Sequence, residues 1–461
     1  MIERTGPVVW KFGGSSVRDA DRLLNVAGLI ERSGEIPVVV VSAMGDTTDD
    51  LLALVEMPLD QADEARRILG EFEATHLGVL DEIFSGADEG VPQSISTQIR
   101  SRVALVAAAM GGAPTTERTD TILALGEDLS SLLLTAALLR RGVKARQVDS
   151  RGLIRTDSTY GGGRPQVEEI ERAAQATLPA MIEAGEVPVI QGFVGASHEG
   201  RTTTLGRGGS DLTATLLGAA LEASAVHIWT DVDGIMSGDP RHVAAPRVLD
   251  VLGFEEAVEL AYFGAGVLHP GACKQAVSRG VPVRIRSTFL PERPGTLILK
   301  ERWGGPEIAA VAHKSNVTLI KVRSRPAALP YGFLARVFEI MNRHALPVDL
   351  VATSHSSTAF TLDGDERIDE VAEALSEVAD VEVRTGLATV TVVGSGLLKE
   401  PGFDARVFRT VAFTPVHLIS QASDVSLSFV VDGSEALEMV VRLHRELVEG
   451  RFSDTGEEKQ A

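Results

Sequence analysis

The 461-residue chain has only one cysteine, Cys273, and comparatively few basic side chains. A single cysteine excludes an intramolecular disulfide and a zinc site built on cysteines, and the ten histidines form no HExxH motif. The 44 lysines and arginines stand against 64 acidic residues, which gives a formal net charge of −20. This balance argues against a nucleic-acid or anionic-membrane binder, so an anionic ligand would need locally concentrated arginine and lysine.

Long apolar runs are also scarce. The N-terminal residues MIERTGPVVW contain no run as long as the apolar region of a signal peptide. No window is expected to approach the ~18 apolar residues of a membrane-spanning helix. We therefore expect a soluble, cytoplasmic protein with no nucleic-acid or membrane partner. Hydrophobic residues make up 44% of the chain, which is enough for two or three domains with sizeable cores.

Apolar strands alternate with helices as far as residue 287. Strands are predicted at residues 8–12, 36–42, 143–150, 186–196, 225–231 and 281–287. Helices are predicted at 19–33, within 60–110, and at 119–142, 208–224 and 271–280. This alternation predicts an α/β fold with a mostly parallel sheet, covered by helices on both faces. Ligands of such sheets bind at the carboxyl ends of the strands.

The loops at those strand ends are rich in glycine, serine and threonine. Residues 8–17, VVWKFGGSSV, place Lys11 and two glycines directly after an apolar strand. Glycine backbone and a following helix start would suit a phosphate, although a solvated strand end and an ordinary turn remain the alternative. The P-loop pattern is absent from this stretch. Similar loops at 42–48, 200–211 and 230–241 favour the phosphate interpretation.

The loop TTTLGRGGSD at 202–211 carries an arginine among glycines. Ser210 and Asp211 could simply be a helix cap and an acid in the first turn. Capping does not explain Arg207, and arginine binds carboxylate or phosphate groups bidentately. The loop WTDVDGIMSGDPR at 229–241 does not have the spacing of a calcium loop and suggests a nucleotide loop.

The last third of the chain contains an internal repeat. GFLARVF begins at Gly332 and GFDARVF begins at Gly402, and both are flanked by strand-like and helix-like segments in the same order. Two tandem βαββα units are the economical interpretation. The Pro/Gly-rich segment 290–307 precedes them and resembles a domain boundary, and the last ten residues are predicted to be a frayed tail.

The motifs KFGGSSV, VVSAM, LGE, QGF, GRTTTLGRGGSD, WTDVDGI, DPR and VLHP follow one another along residues 8–298. In this order they resemble the aspartokinases, and the C-terminal repeat resembles the two ACT domains of the same enzymes. The resemblance covers nearly the whole chain. It implies a three-layer αβα amino-acid kinase fold at 1–300, a linker and first ACT domain at 301–386, and a second ACT domain and tail at 387–461.

The resemblance also implies an activity. Aspartokinases transfer the γ-phosphoryl group of ATP to the β-carboxylate of L-aspartate, giving 4-phospho-L-aspartate, the first step toward lysine, threonine and methionine. A carboxylate with a free pKa of about 4 is already ionised at neutral pH, so the reaction needs positioning and charge neutralisation rather than a general base. Mg²⁺ should arrive with ATP, held largely by phosphate oxygens and water, and no protein metal site is expected.

Site residues are assigned from the matched motifs. Lys11 would stabilise the transferring phosphoryl group, and Asp211 would orient Lys11. Glu127 would face the substrate ammonium, although helical periodicity alone would make it a solvated residue. The expected aspartate-binding residues are Ser42, Thr48, Glu127, Arg207, Gly208, Gly209 and Ser210. The expected ATP-binding residues are Lys11, Gly13, Gly14, Ser15, Thr230, Asp231, Met236, Arg241, Gly266 and Val267.

The chain departs from the family pattern at two places. Gly266 stands where relatives carry lysine in FGAKVLHP, which predicts weaker ATP binding. The effector is expected to be an amino acid, with lysine as the candidate, bound by Asp349, Thr353 and Ser354. The neighbouring positions differ from those of lysine-sensitive relatives; they are Ala327, Pro330 and His355.

Assembly and alternative functions complete the expectations. The ACT domains should form a homodimer or homotetramer with the effector at their interface. One alternative function is a catalytically weak amino-acid sensor with a degenerate kinase domain, favoured by Gly266 and opposed by Lys11, Arg207 and Asp211. A kinase for another amino acid is a further alternative, which Arg207 and Glu127 disfavour.

Overall fold

The computed structural model describes residues 5–58, 61–86, 91–110, 114–265, 269, 271–302, 308–325, 332–364, 367–395, 397 and 402–450. The chain divides into two compact units. The first comprises Met1–Ile235, Asp250–Phe254 and Val267–Glu301. The second comprises Met236–Leu249, Glu255–Gly266 and Arg302–Ala461.

The first unit is built on a mostly parallel sheet, as predicted. Its strands β1 to β10 are Val8–Phe12, Val38–Val41, Ala145–Val148, Val187–Gln191, Val194–Ala196, Thr202–Thr204, Ala225–Thr230, Val251–Gly253, Val283–Ser287 and Thr296–Leu299. Among the described residues, eight of them form one sheet in the order β3-β4-β2-β1-β7-β9-β10-β8. Only β9 and β10 pair antiparallel within it, and β5 and β6 form a separate antiparallel pair.

Helices follow the strands of this sheet. The helices α1 to α8 are Ala20–Ser33, Thr47–Glu56, Ala62–Ile83, Gln93–Met110, Thr116–Leu123, Leu125–Arg140, Val167–Glu183 and Gly209–Ala220. They are followed by α9, Phe254–Leu260, which belongs to the second unit apart from Phe254, and by α10, Lys274–Ser278. The alternation of strand and helix confirms the predicted α/β fold with a mostly parallel sheet.

The alternation of side chains along β1 directs Lys11 toward α8. Val8, Trp10 and Phe12 belong to an apolar core shared with buried residues of α1, α3, α4 and α6. Successive side chains of a strand point to opposite faces, so Val9 and Lys11 face the other side, where α8 packs on β1. Both faces of the sheet are therefore covered, and Lys11 emerges at the strand end on the face of α8.

Two predicted elements are divided in the structure. The helix predicted at 119–142 consists of α5 and α6, which meet at Ala124. The single strand predicted at 186–196 is wrong, because β4 ends at Gln191 and β5 pairs with β6 instead. Phe193, with φ of 64°, turns the chain between them. A Cβ atom on Gly192 would lie 2.5 Å from Oγ of Ser210, so only glycine permits this close approach.

One segment corrects the expectation that no window approaches a membrane-spanning helix. Thr116–Arg140 is long and apolar enough by length and composition, but 94% of its apolar window is buried inside the protein. Leu125, Leu129 and Leu133 of α6 are fully buried in the core of the first unit. Burial in that core accounts for the apolar sequence.

The second unit is built on an antiparallel sheet. Its strands β11 to β16 are Ile308–Ser324, Val351–Thr353, Ser357–Asp363, Ala379–Gly394, Val416–Ser423 and Ser426–Asp432. Its helices α11 to α14 are Phe333–Arg343, Ile368–Ser376, Phe403–Val411 and Gly433–His444. The described strands form one sheet in the order β12-β13-β11-β14-β16-β15, which agrees with two ACT domains.

The two longest strands serve both repeats. The second half of β11 pairs with β13, whereas its first half, from Ile308 to Lys314, pairs only with β14. The first half of β14 similarly completes the sheet of the first repeat. No element was predicted from the sequence for the first halves of β11 and β14. Because β14 runs through residues 386 and 387, the exact domain limits stay a prediction.

Candidate active site

A cavity of about 550 Å³ lies in the first unit where the glycine-rich loops meet. It is bounded by the end of β1, the loop after β2, the first turn of α6 and the loop before α8. The structure brings ten of the predicted residues to its walls: Lys11, Gly14, Ser42, Thr48, Glu127, Arg207, Gly208, Gly209, Ser210 and Asp211.

Lys11 and Asp211 form an ion pair in this cavity. The Nζ atom of Lys11 lies 2.7 Å from Oδ1 of Asp211, and both side chains are largely buried. Asp211 is the third residue of α8, where the helix dipole favours a negative charge. A Cβ atom on Gly13 would lie 3.7 Å from Nζ of Lys11, so the backbone of the first loop runs close beside the ammonium group.

The first two loops hold each other through backbone contacts. The N–H of Gly45 donates to the carbonyl of Gly14 at 3.1 Å. A Cβ atom on Gly14 would lie 2.8 Å from the carbonyl oxygen of Ala43, so a larger residue would push the loops apart. Ser15 does not line the cavity; its carbonyl accepts a hydrogen bond from Arg22 Nη1 at 2.9 Å.

Glu127 is a buried carboxyl group with an unusual pKa. It lies in the first turn of α6 with 4% of its surface exposed, contrary to the solvated position that periodicity alone suggests. Burial raises its pKa to about 8, with a smaller contribution from the charge of Asp128, while the backbone of Ala43 and the charge of Lys11 act in the opposite direction. Its Oε2 atom has no hydrogen-bond partner among the described residues. A cation in the cavity would satisfy this oxygen and ionise the group.

Arg207 lies between two glycines whose backbone conformation disfavours other residues. Gly206 and Gly208 on either side have φ of 72° and 71°. A Cβ atom on Gly208 would lie 2.3 Å from the Cβ atom of His269. Arg207 is exposed and lines the cavity. The turn therefore places an arginine in the wall of the cavity, which suits an anion.

Asp120 is a cavity residue that the sequence did not reveal. It is fully buried in α5, and its carboxylate accepts hydrogen bonds from the N–H of Gly161 at 3.0 Å and from the N–H and Oγ1 of Thr204 at 2.9 Å. Burial raises its pKa, and these hydrogen bonds oppose the shift. Asp120 thereby fixes β6 and the loop around residue 161 as one wall. Its only sequence signal is an acid next to an apolar run.

Asp128, the residue after Glu127, forms a largely buried ion pair with Arg151. The sequence did not predict this pair. Nη1 and Nη2 of Arg151 lie 2.8 and 2.9 Å from the two carboxylate oxygens of Asp128. Gln191 donates to the same carboxylate at 3.1 Å, and Arg151 contacts Asp149 at 3.2 Å. These bonds anchor the first turn of α6 to the ends of β3 and β4, and so hold the backbone of Glu127.

The residues predicted for ATP are dispersed. Thr230 is the last residue of β7 and Asp231 follows it, beside the end of β1, where the N–H of Gly13 donates to the carbonyl of Trp229 at 3.1 Å. They do not line the cavity. Met236 and Arg241 belong to the second unit, where Nε of Arg241 lies 3.0 Å from both carboxylate oxygens of Asp239. Gly266 and Val267 lie outside the described residues.

The predicted effector residues lie in the second unit. Asp349 is buried, its Oδ2 lies 3.1 Å from Nζ of Lys314, and its Oδ1 accepts a hydrogen bond from Tyr262. Burial raises the pKa of Asp349, against the opposing effects of Tyr262 and Lys314. Thr353, Ser354 and His355 are exposed. Ala327 and Pro330 lie outside the described residues.

Acidic and histidine side chains do not gather into a metal site in the described part of the chain.

Comparison with known proteins agrees with this geometry. Residues 6–287 match the amino acid kinase family, and residues 390–447 match an ACT domain. Lysine-sensitive aspartokinase 3 of Escherichia coli is 37% identical over 455 residues, which cover 96% of this chain and 99% of that protein. The chloroplastic aspartokinase 1 of Arabidopsis thaliana is 36% identical over 472 residues, covering 96% of this chain and 80% of that protein.

Solved structures give the same result. The E. coli aspartokinase III complex with aspartate and ADP matches with a TM-score of 0.82 at 35% identity, covering 96% of this chain and 99% of that chain. The complex of the same enzyme with lysine and aspartate matches with a TM-score of 0.81 at 35% identity and the same coverage. The resemblance drawn from the motifs is confirmed: the chain belongs to the amino acid kinase family and, within it, to the aspartokinases.

Proposed function

We propose that this chain transfers the γ-phosphoryl group of ATP to the β-carboxylate of L-aspartate, giving 4-phospho-L-aspartate and ADP. The observation that carries the proposal is the Lys11–Asp211 ion pair inside a cavity that Glu127 and Arg207 also line. The cavity thus combines the cation Lys11, for a phosphoryl group, with the carboxyl group of Glu127 and the guanidinium group of Arg207, for a zwitterion. The related E. coli enzyme was solved with aspartate and ADP bound.

The substrate would be held by opposite charges. Arg207 would bind a carboxylate of aspartate, and Glu127 would accept the ammonium group. Because the pKa of Glu127 is raised to about 8, an arriving ammonium should ionise the group and release its proton. Thr48 and Ser42 line the same cavity and offer hydroxyl groups to the substrate. Gly208, Gly209 and Ser210 offer the backbone at the start of α8.

The reaction itself requires little chemistry from the protein. A carboxylate oxygen of aspartate attacks the γ-phosphorus, a new O–P bond forms, and the bond to the β–γ bridging oxygen breaks as ADP leaves. Lys11, oriented by Asp211, would stabilise the charge on the transferring group. No general base is required, because the attacking carboxylate is already ionised. Rate enhancement therefore rests on position and charge.

The nucleotide would bind beside the first loop. The backbone of Gly13, Gly14 and Ser15 would approach its phosphates, and Thr230 and Asp231 lie at the end of the neighbouring strand β7. Met236, Arg241, Gly266 and Val267 stay predictions from the family resemblance. Mg²⁺ would accompany ATP, held largely by phosphate oxygens and water, and would supply further charge neutralisation.

Regulation would reside in the ACT unit. The related E. coli enzyme was also solved with lysine, and we extend lysine to this chain as the candidate effector, with Asp349, Thr353 and Ser354 as its site. Here Lys314 of the chain itself already contacts Asp349. A homo-oligomer formed through the ACT domains is part of the same proposal, supported by exposed apolar side chains on the edge strands, Val351 and Ile419.

A single experiment tests the activity and its acceptor. The chain is incubated with ATP, Mg²⁺ and each of several amino acids, and acyl phosphate is trapped with hydroxylamine as a coloured hydroxamate. We expect hydroxamate with L-aspartate and little with glutamate, asparagine or alanine. Formation with another amino acid but not aspartate would replace the substrate. No hydroxamate with any of them would favour the amino-acid sensor, which the comparisons do not support.

A further inference from the structure

A second cavity, of about 350 Å³, lies in the ACT unit between α13 and the end of α14. Four arginines line it, Arg406, Arg409, Arg442 and Arg445, and its lining contains one acid, Glu446. The chain as a whole carries a net charge of −20. Four guanidinium groups around one small cavity are therefore a local reversal of the charge of the protein.

The spacing of the arginines concentrates their charge. Arg406 and Arg409 are three residues apart on α13, and Arg442 and Arg445 are three residues apart where α14 ends. Residues three apart on a helix lie on the same face, and like charges at this spacing repel. An anion in the cavity would turn that repulsion into attraction.

The acids paired with Arg442 and Arg445 offset the charge of these two arginines only weakly. Nη1 of Arg442 lies 3.9 Å from Glu438, and Nε of Arg445 lies 3.6 Å from Glu446, but both acids are more than half exposed, so these pairs are screened by solvent. Arg442 also donates to Thr414. Its Nε atom, however, is buried without a hydrogen-bond partner among the described residues. A buried N–H group without an acceptor is unfavourable, so contacts within the described chain leave Arg442 incompletely hydrogen-bonded.

The internal repeat shows that the ACT fold does not require this charge. The equivalents of Arg406 and Arg409 in the first repeat, aligned through GFLARVF and GFDARVF, are Arg336 and Glu339. The first repeat therefore has one arginine and one acid at the positions where the second repeat has two arginines. The same helix forms with either sequence. Arg409 is thus present in the second repeat and has no arginine counterpart in the first.

We propose that this cavity binds a small, multiply charged phosphate compound. The planar guanidinium fork matches phosphate oxygens bidentately, and four forks suit a chain of phosphates better than one carboxylate. The volume lies at the lower end of the range for small-molecule sites. Phe413 lines the cavity with 84% of its surface exposed, and its ring offers a flat face to a base. A nucleotide and a bare oligophosphate share the recognised chemistry.

Isothermal titration of the full-length chain with sodium tripolyphosphate and with ADP tests the proposal. Arg406→Gln/Arg409→Gln should bind one tripolyphosphate fewer per chain than the parent, or bind it at least about tenfold more weakly at this site. The matched control, Arg336→Gln in the first repeat, should titrate like the parent. Phe413→Ser should weaken ADP more than tripolyphosphate if the ligand is a nucleotide, and both equally if it is a bare oligophosphate.

Three further measurements control for folding, for catalytic activity and for the electrostatic nature of the contact. Circular dichroism verifies that the double variant is folded, and its aspartate kinase rate without added tripolyphosphate should equal that of the parent. The affinity at this site should fall as NaCl rises, because the contact is electrostatic. Identical titrations of parent and double variant would overturn the proposal. Truncation after Gly450 removes the acids Asp454, Glu457 and Glu458. If tripolyphosphate bound at this site only after that truncation, those acids would be the occupant and the proposal would be overturned.

Discussion

Lys11 and Asp211 are 200 residues apart in the sequence, yet the Nζ atom of one lies 2.7 Å from Oδ1 of the other. The pair joins the end of β1 to the first turn of α8, at the carboxyl edge of the sheet, where the cavity lies. Asp211 restricts an otherwise flexible lysine to one position. A positioned cation is what phosphoryl transfer requires from a site without a general base.

The first prediction concerns Lys11 itself. Lys11→Ala should lower kcat by on the order of 10²-fold or more while the fold is retained, because a charge contact made in the transition state is lost. Asp211→Asn should produce a smaller loss, since Lys11 remains but is less well oriented. Steady-state kinetics with Lys144→Ala, an exposed lysine outside the cavity, as the control would measure both. A near-normal kcat in Lys11→Ala would remove Lys11 from the chemical step.

The second prediction is a pH dependence from Glu127. Its pKa is raised from a usual 4.5 to about 8, so the free enzyme holds a proton there at neutral pH. Binding of an ammonium group requires the ionised form, so the KM for aspartate should fall as the pH rises from about 6.5 to 8.5. Glu127→Gln should raise that KM and abolish its slope with pH. The control is Glu117→Gln, a partly exposed acid on the preceding helix.

The same proton affects stability. The folded chain binds the Glu127 proton more tightly than the unfolded chain does, so the stabilisation present below pH 4.5 is lost as the pH rises through about 8. Denaturant titrations of parent and Glu127→Gln between pH 5 and 8.5 should therefore diverge, with the parent losing more stability at high pH. Parallel curves would show that Glu127 is not the titrating group.

The third prediction separates the two substrates. Arg207 lines the cavity, and its guanidinium group is assigned to a carboxylate of aspartate. Arg207→Ala should raise the KM for aspartate far more than the KM for ATP, and Arg207→Lys should recover only part of the loss, because lysine lacks the bidentate fork. Arg201→Ala, six residues earlier and paired with Glu117, serves as the control. Equal effects on both KM values would place Arg207 on the nucleotide side.

The fourth prediction concerns lysine sensitivity. Nζ of Lys314 lies 3.1 Å from Asp349 and 2.6 Å from Asp363, so the proposed effector carboxylate already has an ammonium partner. Free lysine would have to compete with it, and inhibition of the parent should be weak. Lys314→Met should increase inhibition by lysine, whereas Lys321→Met, on the same strand, should not. Unchanged inhibition in both variants would mean that Asp349 does not bind the effector amine.

Much of the fold could be predicted from local sequence. The largely apolar runs 8–12 and 36–42 give parallel strands, because the strands of a parallel sheet are buried on both faces. The glycine-rich loops predicted where the cavity lies. Gly14 and Gly208 stand at its walls, where a Cβ atom would collide with neighbouring residues. These signals are local, and the structure retains them.

The missed features depend on distant partners. Asp120 looks like any helix acid until Thr204, 84 residues away, donates to it. Asp128 and Arg151 likewise give no sign in the sequence of their pairing. The break between β4 and β5 follows from the close approach of Gly192 to Ser210, which no local pattern contains. The shared strands β11 and β14 also pair across long separations.

The most direct test of the central claim is the identity of the phosphorylated carboxyl group. The chain is incubated with aspartate and ATP, and the products are reduced with borohydride, which converts an acyl phosphate into an alcohol. We expect homoserine, from the β-carboxyl group, in the parent and almost none in Lys11→Ala. The isomeric amino alcohol from the α-carboxyl group, or ATP consumption without any reduced product, would contradict it.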